Sequence, residues 1–322
     1  MNLPYTFIVS GSGSLELKEK IHESLAGRKR MFELFPLSFE EFVAFKPKYK
    51  HANIDTEDNK LIHFFDLFKE EARQYLEEYL NWGGYPSVVL EEEISQKLAI
   101  IDEIYKSYLE KDISYLLNIQ KTESLTQLVR ILSNQAGNLV NVEELSNTLG
   151  IATQTIKNYL WYLEKTFIIQ RVPPYFKNIR KEITKASTYY FVDLGLKNYA
   201  SSQNSYALNT PLSISLFENF VFRSLREITY LSSSTIHFWR SKDKAEVDFV
   251  INMGEKIIPV EVKYSNLKEP KITRSFRSFV EKYHPETAFI VHLGEQMSTS
   301  LGKTRIQFIP FYKCNIITKK NN

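Results

Sequence analysis

One cysteine, Cys314, is present in 322 residues, so an intrachain disulfide is excluded and a reducing cytoplasm suits the chain. No apolar run approaches the roughly 20 residues that cross a bilayer. The start, Met1 to Ser10, lacks a basic leader and holds only a short apolar run, so it does not read as a signal peptide. The six histidines are scattered, with no spacing that suggests zinc. Net charge is also slight: 41 Lys and Arg against 38 Asp and Glu leave +3, so any basic surface must be local. A Gly-rich loop ending in Lys-Ser or Lys-Thr is missing as well. Ser10-Gly11-Ser12-Gly13-Ser14 has no lysine in the required place. The chain is therefore not expected to hydrolyse ATP by itself, and ATP is not expected as its cofactor. Core-forming residues are plentiful, at 43% apolar and 14% aromatic, and the length fits two or three domains.

The richest stretch is Ala245 to Lys263. Two runs of β-branched residues flank Asn252-Met253-Gly254-Glu255-Lys256, which predicts a hairpin with Gly254 at a positive φ. Alternation would put Val247, Phe249 and Ile251 on one face and Glu246, Asp248 and Val250 on the other. On the second strand Ile258, Val260 and Val262 oppose Ile257, Pro259, Glu261 and Lys263. Asp248, Glu261 and Lys263 then converge. Two carboxylates suit a hard cation such as Mg²⁺, and an adjacent ammonium can orient water or steady phosphate charge. Alternating charge on a half-exposed hairpin is the plainer alternative. The run Leu216 to Leu225, with Glu218 near its start, has helical spacing, as does Lys271 to Tyr283, and Thr287 to Leu293 reads as a strand.

Residues 37–120 read as helices: a long one over Leu61 to Leu80, a break at Gly83-Gly84 and Pro86, and another over Glu91 to Leu117. Further on, Leu125 to Leu132 predicts a helix. Asn141 caps a short second helix, Gly150 turns the chain, and a third helix starts near Thr153. The runs Phe167 to Ile169 and Tyr189 to Val192 would form a wing. In that arrangement Gln154, Thr155, Lys157 and Asn158 project toward DNA, with Arg171, Lys177, Arg180, Lys181 and Lys185 near phosphates. The alternative is a fold used only for protein contact, with Tyr159, Trp161 and Tyr162 packed. Residues 196–212 read as a linker.

The order helix with Glu218, strand, strand with Asp248, strand with Glu261 and Lys263, helix, strand resembles the PD-(D/E)XK nuclease fold, although no proline precedes Asp248. The segments Ser10 to Ser14, Ala26 to Arg30, Phe35 to Phe42, Trp82 to Pro86 and Ser107 to Ile113 resemble the end of the ATPase core and the lid in a family of prokaryotic AAA+-type ATPases. Members of that family end in a domain of unknown function with the nuclease-like fold. The resemblance implies a mixed α/β and α+β architecture. It comprises a remnant of the AAA+ core with helical lid over 1–120, a winged helix-turn-helix over 121–195, and a linker with a PD-(D/E)XK restriction-endonuclease-like α/β domain over 196–322. It also places Ser10 or Ser12 at a nucleotide-sensing position and Arg28 where an arginine reaches a neighbour's nucleotide.

The leading expectation is a DNA-interacting protein with a Mg²⁺-dependent nuclease site. In that site Asp248 and Glu261 hold the metal, Glu218 completes or orients it, and Lys263 activates water. An ATPase partner or self-association is expected beside DNA, with no membrane partner. The alternatives are a catalytically inert DNA- or protein-binding regulatory module, and a truncated ATPase fragment lacking its phosphate loop.

Overall fold

The computed structural model describes residues 32–46, 58–107, 123–201, 214–230 and 232–318. The described chain opens with α1 (Phe39–Phe45), whose start is fixed by a reciprocal cap. Ser38 Oγ accepts the Glu41 N–H at 3.0 Å, and Glu41 Oε2 accepts the Ser38 N–H at 2.8 Å. The expected helix over Leu61 to Leu80 is two, α2 (Asp58–Leu67) and α3 (Lys69–Trp82), with Phe68 leaving helical dihedrals between them. That bend lets Leu61 and Phe65 share one core with Ala72, Leu76 and Tyr79. Gly83, at φ +73°, ends α3, and Pro86 opens α4 (Pro86–Leu90), where its missing N–H costs nothing. Next comes α5 (Ile94–Lys106); the rest of the helix expected up to Leu117 lies outside the described residues.

Three helices follow: α6 (Glu123–Asn134), α7 (Val142–Leu149) and α8 (Thr153–Lys165). Asn141 caps α7 as expected, accepting from the Glu143 and Glu144 N–H groups at 3.0 and 3.3 Å. Gly150 takes the left-handed conformation that turns α7 into α8. The ribbon of β1 (Ile169–Val172) and β2 (Thr188–Phe191) pairs antiparallel, from Ile169↔Phe191 to Val172↔Thr188. Between its strands lies α9 (Ile179–Thr184). Leu128, Leu132, Leu145, Ile156, Leu163 and Phe191 make the core of this unit.

Where a linker was expected from residue 196, the chain instead forms a buried helix, α10 (Leu194–Ala200). Asp193 caps it, and Leu194, Leu196 and Ala200 are too apolar to be left in water. The remaining expected linker, residues 202–212, lies outside the described set.

The last part is an α/β layer: α11 (Ile214–Thr229), β3 (Thr235–Arg240), β4 (Glu246–Asn252), β5 (Ile257–Lys263), α12 (Arg274–Tyr283), β6 (Thr287–His292), β7 (Met297–Leu301), β8 (Thr304–Pro310) and a 3-10 helix, Phe311–Ile316. The sheet order is β3-β4-β5-β6-β8-β7. The pairs β5–β6 and β6–β8 are parallel, and the other neighbours are antiparallel. One sheet face, through Phe249, Ile251, Ile258, Val260 and Val262, packs on Phe217, Phe220 and Val221 of α11. The other, through Val250, Ala288, Ile290 and Phe308, packs on Phe276, Phe279 and Val280 of α12.

Val247 corrects the alternation read from sequence. It packs with Val250, not with Phe249 and Ile251. A bulge is the cause: His237 pairs Val250 and Trp239 pairs Val247, so β4 spends one residue more than β3 over the same span.

A buried polar junction ties the first helices to α11. Asp193 accepts from Gly84 N at 2.7 Å and from Leu196 N at 2.8 Å. Arg223 of α11 donates to Val192 O at 2.5 Å, Pro36 O at 3.0 Å and Glu227 Oε1 at 3.1 Å. A Cβ on Gly84 would collide with Leu37 O, and one on Gly195 with Trp82 O, so both backbones approach as only glycine allows.

Candidate functional site

The hairpin builds the site. The β4–β5 ladder runs from Asn252↔Ile257 to Phe249↔Val260, with Gly254 in the turn at φ +83°. Continuing that register one step would set Asp248 opposite Glu261, but the bulge lifts β4 away there. The Asp248 carboxylate fills the gap: its Oδ2 accepts the Val262 N–H at 2.6 Å, in place of a backbone carbonyl. Glu261, only 4% exposed, engages one oxygen: Oε1 accepts from Lys263 Nζ at 2.7 Å and from Thr273 Oγ1 at 3.4 Å. Its other oxygen, Oε2, is buried without a hydrogen-bond partner among the described residues. Glu218 comes from the first turns of α11, and its Oε1 accepts from the Tyr190 hydroxyl of β2. Gly137 lies so close to Glu218 Oε1 that an added Cβ would stand 3.0 Å away.

The charges act on one another. Burial holds the Asp248 carboxyl well above its ordinary range, and Glu261 and Glu218 push it further, against the Val262 N–H and Lys263. Glu261 is raised by burial too, opposed by Lys263 and Thr273. Burial lifts Glu218 to about 7, with Tyr190 opposing and Glu246 and Glu261 reinforcing. Burial works to lower Lys263, but Glu261, Asp248 and Glu218 together keep its ammonium above its ordinary value. Three carboxylates thus share one ammonium, an electrostatic deficit that a divalent cation would offset. Among the described residues, no three His, Cys, Asp or Glu side chains form a ready-made metal cage. The fit to a cation rests on the unpartnered Glu261 oxygen and the mutual repulsion around it.

Glu218, Asp248 and the Glu261–Lys263 pair, drawn from three separate elements, are therefore neighbours. Tyr190 and Gly137 join them across the fold, and no sequence spacing marked either. On α8, Gln154, Lys157 and Asn158 are exposed and Thr155 is half-buried; Gln154 Nε2 donates to Asn158 Oδ1 at 3.0 Å. Arg171 Nε is held by Ser187 Oγ at 2.8 Å, and Lys177 lies over the Tyr283 ring at 5.8 Å. Arg180 and Lys185 are exposed, on and just after α9. The side chain of Lys181 lies outside the described set, as do Ser10, Ser12 and Arg28 altogether. Tyr159 is buried in the helical core, whereas Trp161 is 43% exposed.

Residues 1–43 match the model of an AAA domain. Residues 73–207 and 215–314 match two domains of unknown function, DUF8612 and DUF4143. Together these matches fit a prokaryotic AAA-like family that carries a C-terminal domain of unknown function. The chain is 26% identical over 326 residues to the uncharacterized protein MJ1544 of Methanocaldococcus jannaschii, covering 97% of this chain and 69% of that one. An uncharacterized protein of Haemophilus influenzae is 26% identical over 262 residues, covering 80% and 58%. The uncharacterized protein Rv2008c of Mycobacterium tuberculosis is 25% identical over 297 residues, covering 91% and 59%. The chain thus spans little more than half the length of the last two. The crystal structure of protein VC1899 from Vibrio cholerae overlaps at a TM-score of only 0.22 and 12% identity, over 70% of this chain and 55% of that one. Among the described residues, no helix is long and apolar enough to cross a membrane.

Proposed function

We propose that this chain is a cytoplasmic DNA-interacting protein whose last part is a PD-(D/E)XK-like domain with a Mg²⁺-dependent nuclease site. The supporting observation is the buried Glu261 carboxylate, with one oxygen unpartnered, beside Asp248 and Lys263 at the broken end of a hairpin. Asp248 and Glu261 would hold the metal, which when bound would polarise a phosphodiester and lower the pKa of water. Lys263, kept charged by its three acids, donates to phosphate or water oxygen. Glu218, titrating near neutral pH at about 7, can take up a proton that Tyr190 helps to position. The order α11, β3, β4, β5, α12, β6, with antiparallel β3-β4-β5 and parallel β5–β6, supports the fold reading.

The unit from α6 to β2 supports a winged helix that carries this domain to DNA, with α8 as the reading helix. Hydrolysis of ATP falls to an ATPase partner in this reading. The inert-module alternative draws on one observation: Asp248 Oδ2 and Glu261 Oε1 are already engaged by the protein itself. The deciding experiment incubates purified chain with single- and double-stranded DNA and either Mg²⁺ or Mn²⁺. Cation-dependent cutting that is lost in Lys263→Ala supports the nuclease. If neither metal supports cutting and neither raises the melting temperature, the inert module is correct.

A further inference from the structure

We propose that the outward face of α8 stacks an unpaired base on Trp161, so that its partner is single-stranded or locally opened DNA. This rests on the DNA-interacting reading and narrows its partner. Gln154, Asn158, Trp161 and Lys165 follow one another at steps of four, three and four residues, which aligns them as one stripe along the helix. All four are exposed, with exposed Lys157 beside them. The other two tryptophans are withdrawn: Trp82 is half-buried and Trp239 is buried. The Trp161 indole is braced by Tyr162, whose ring meets it nearly perpendicular at 4.8 Å between centroids. The Lys165 ammonium stands 5.7 Å from the indole centroid.

The nearest acid on the helix is turned away. Glu164 Oε1 accepts the Arg171 N–H of β1 at 3.3 Å, so among the described residues of α8 no acid is aimed at Lys157 or Lys165. A protein-docking face would surround an exposed indole with further apolar side chains. Here its neighbours along the stripe are two amides and two ammoniums. That combination fits a nucleotide strand: cations for phosphates, amides for base edges, and a flat ring for a base face. In an intact duplex the base faces are covered by their neighbours, so only an unstacked base can meet the indole face to face.

The test uses the full chain, with oligothymidylate and its duplex with oligoadenylate as probes, and tryptophan fluorescence at low salt as the readout. Oligothymidylate is expected to quench the fluorescence. Trp161→Ala should weaken its binding about tenfold or more, Trp161→Phe should keep most of it, and duplex binding should change little in either. Trp161 is exposed, so both variants should fold, as circular dichroism will verify. If the wild type binds the single strand without quenching, or Trp161→Ala binds it unchanged, the stacking proposal falls while duplex reading by α8 stands. If neither probe binds at low salt, the DNA-interacting reading falls with it.

Discussion

Asp248 Oδ2 accepts the Val262 N–H at 2.6 Å, so one carboxylate closes a gap in the sheet and also faces two other acids. Two substitutions separate these roles. Asp248→Asn keeps an oxygen for Val262 and removes repulsion from Glu261 and Glu218, so without metal it should match or exceed wild-type stability. Asp248→Ala leaves a buried N–H unpaired and should cost about 1–3 kcal/mol. Urea unfolding of the two variants checks this; equal loss in both would show that the hydrogen bond does not hold the strand.

Divalent cations should raise the melting temperature of the wild type by mass action, and Asp248→Asn and Glu261→Gln should both abolish that gain. A thermal scan with Mg²⁺, Mn²⁺ or a chelator decides it. A gain that persists in both variants would place the cation elsewhere.

The pH dependence has a definite sign. Glu218 titrates at about 7 in the fold, above its ordinary 4.5, so the native state holds that proton more tightly than the unfolded chain. Its effect on stability is therefore unfavourable at neutral pH. Stability should fall as pH rises from about 4.5 to 7 in chelator, and fall less in Mg²⁺. Tyr190→Phe removes the hydrogen bond that favours the carboxylate but keeps the ring stacked on Phe222. It should move the midpoint of this decline to higher pH.

Gly195→Ala should destabilise by about 3 kcal/mol, since a Cβ would run into Trp82 O, which is fixed backbone. Gly150→Ala meets nothing within 4 Å and should cost only about 1–2 kcal/mol, the penalty of a left-handed alanine. Denaturation midpoints should rank the pair in that order.

Lys157→Ala should weaken duplex binding at low salt and reduce the salt slope by about one, as expected for one lost phosphate contact. Filter binding across a salt series measures it. An unchanged slope would remove Lys157 from the interface.

The hairpin was legible because period-two alternation and Gly254 are local signals; its strands and the buried face of β5 follow from them. Asn141, Gly150 and Thr153 likewise marked the ends of α7 and α8 from nearest-neighbour chemistry. Val247 was misplaced because a bulge depends on the partner strand β3, which a single run of residues does not specify. The same limit hid Tyr190 and Gly137, brought to Glu218 only by the packing of the β1–β2 ribbon on α11. Lys263 and Glu261 sit two residues apart on one strand, so their proximity needed only the pleat.

Arg223 and Glu218 ride on the same helix, five residues and roughly 7.5 Å of axial rise apart. At one station the helix grips the Pro36 carbonyl; at the other it holds an acid against the hairpin. A helix transmits force along its axis with little give, so the two ends of that grip cannot move independently. A displacement of the segment leading into Phe39 would therefore be felt at Glu218, and through it in the spacing of the acids around Asp248.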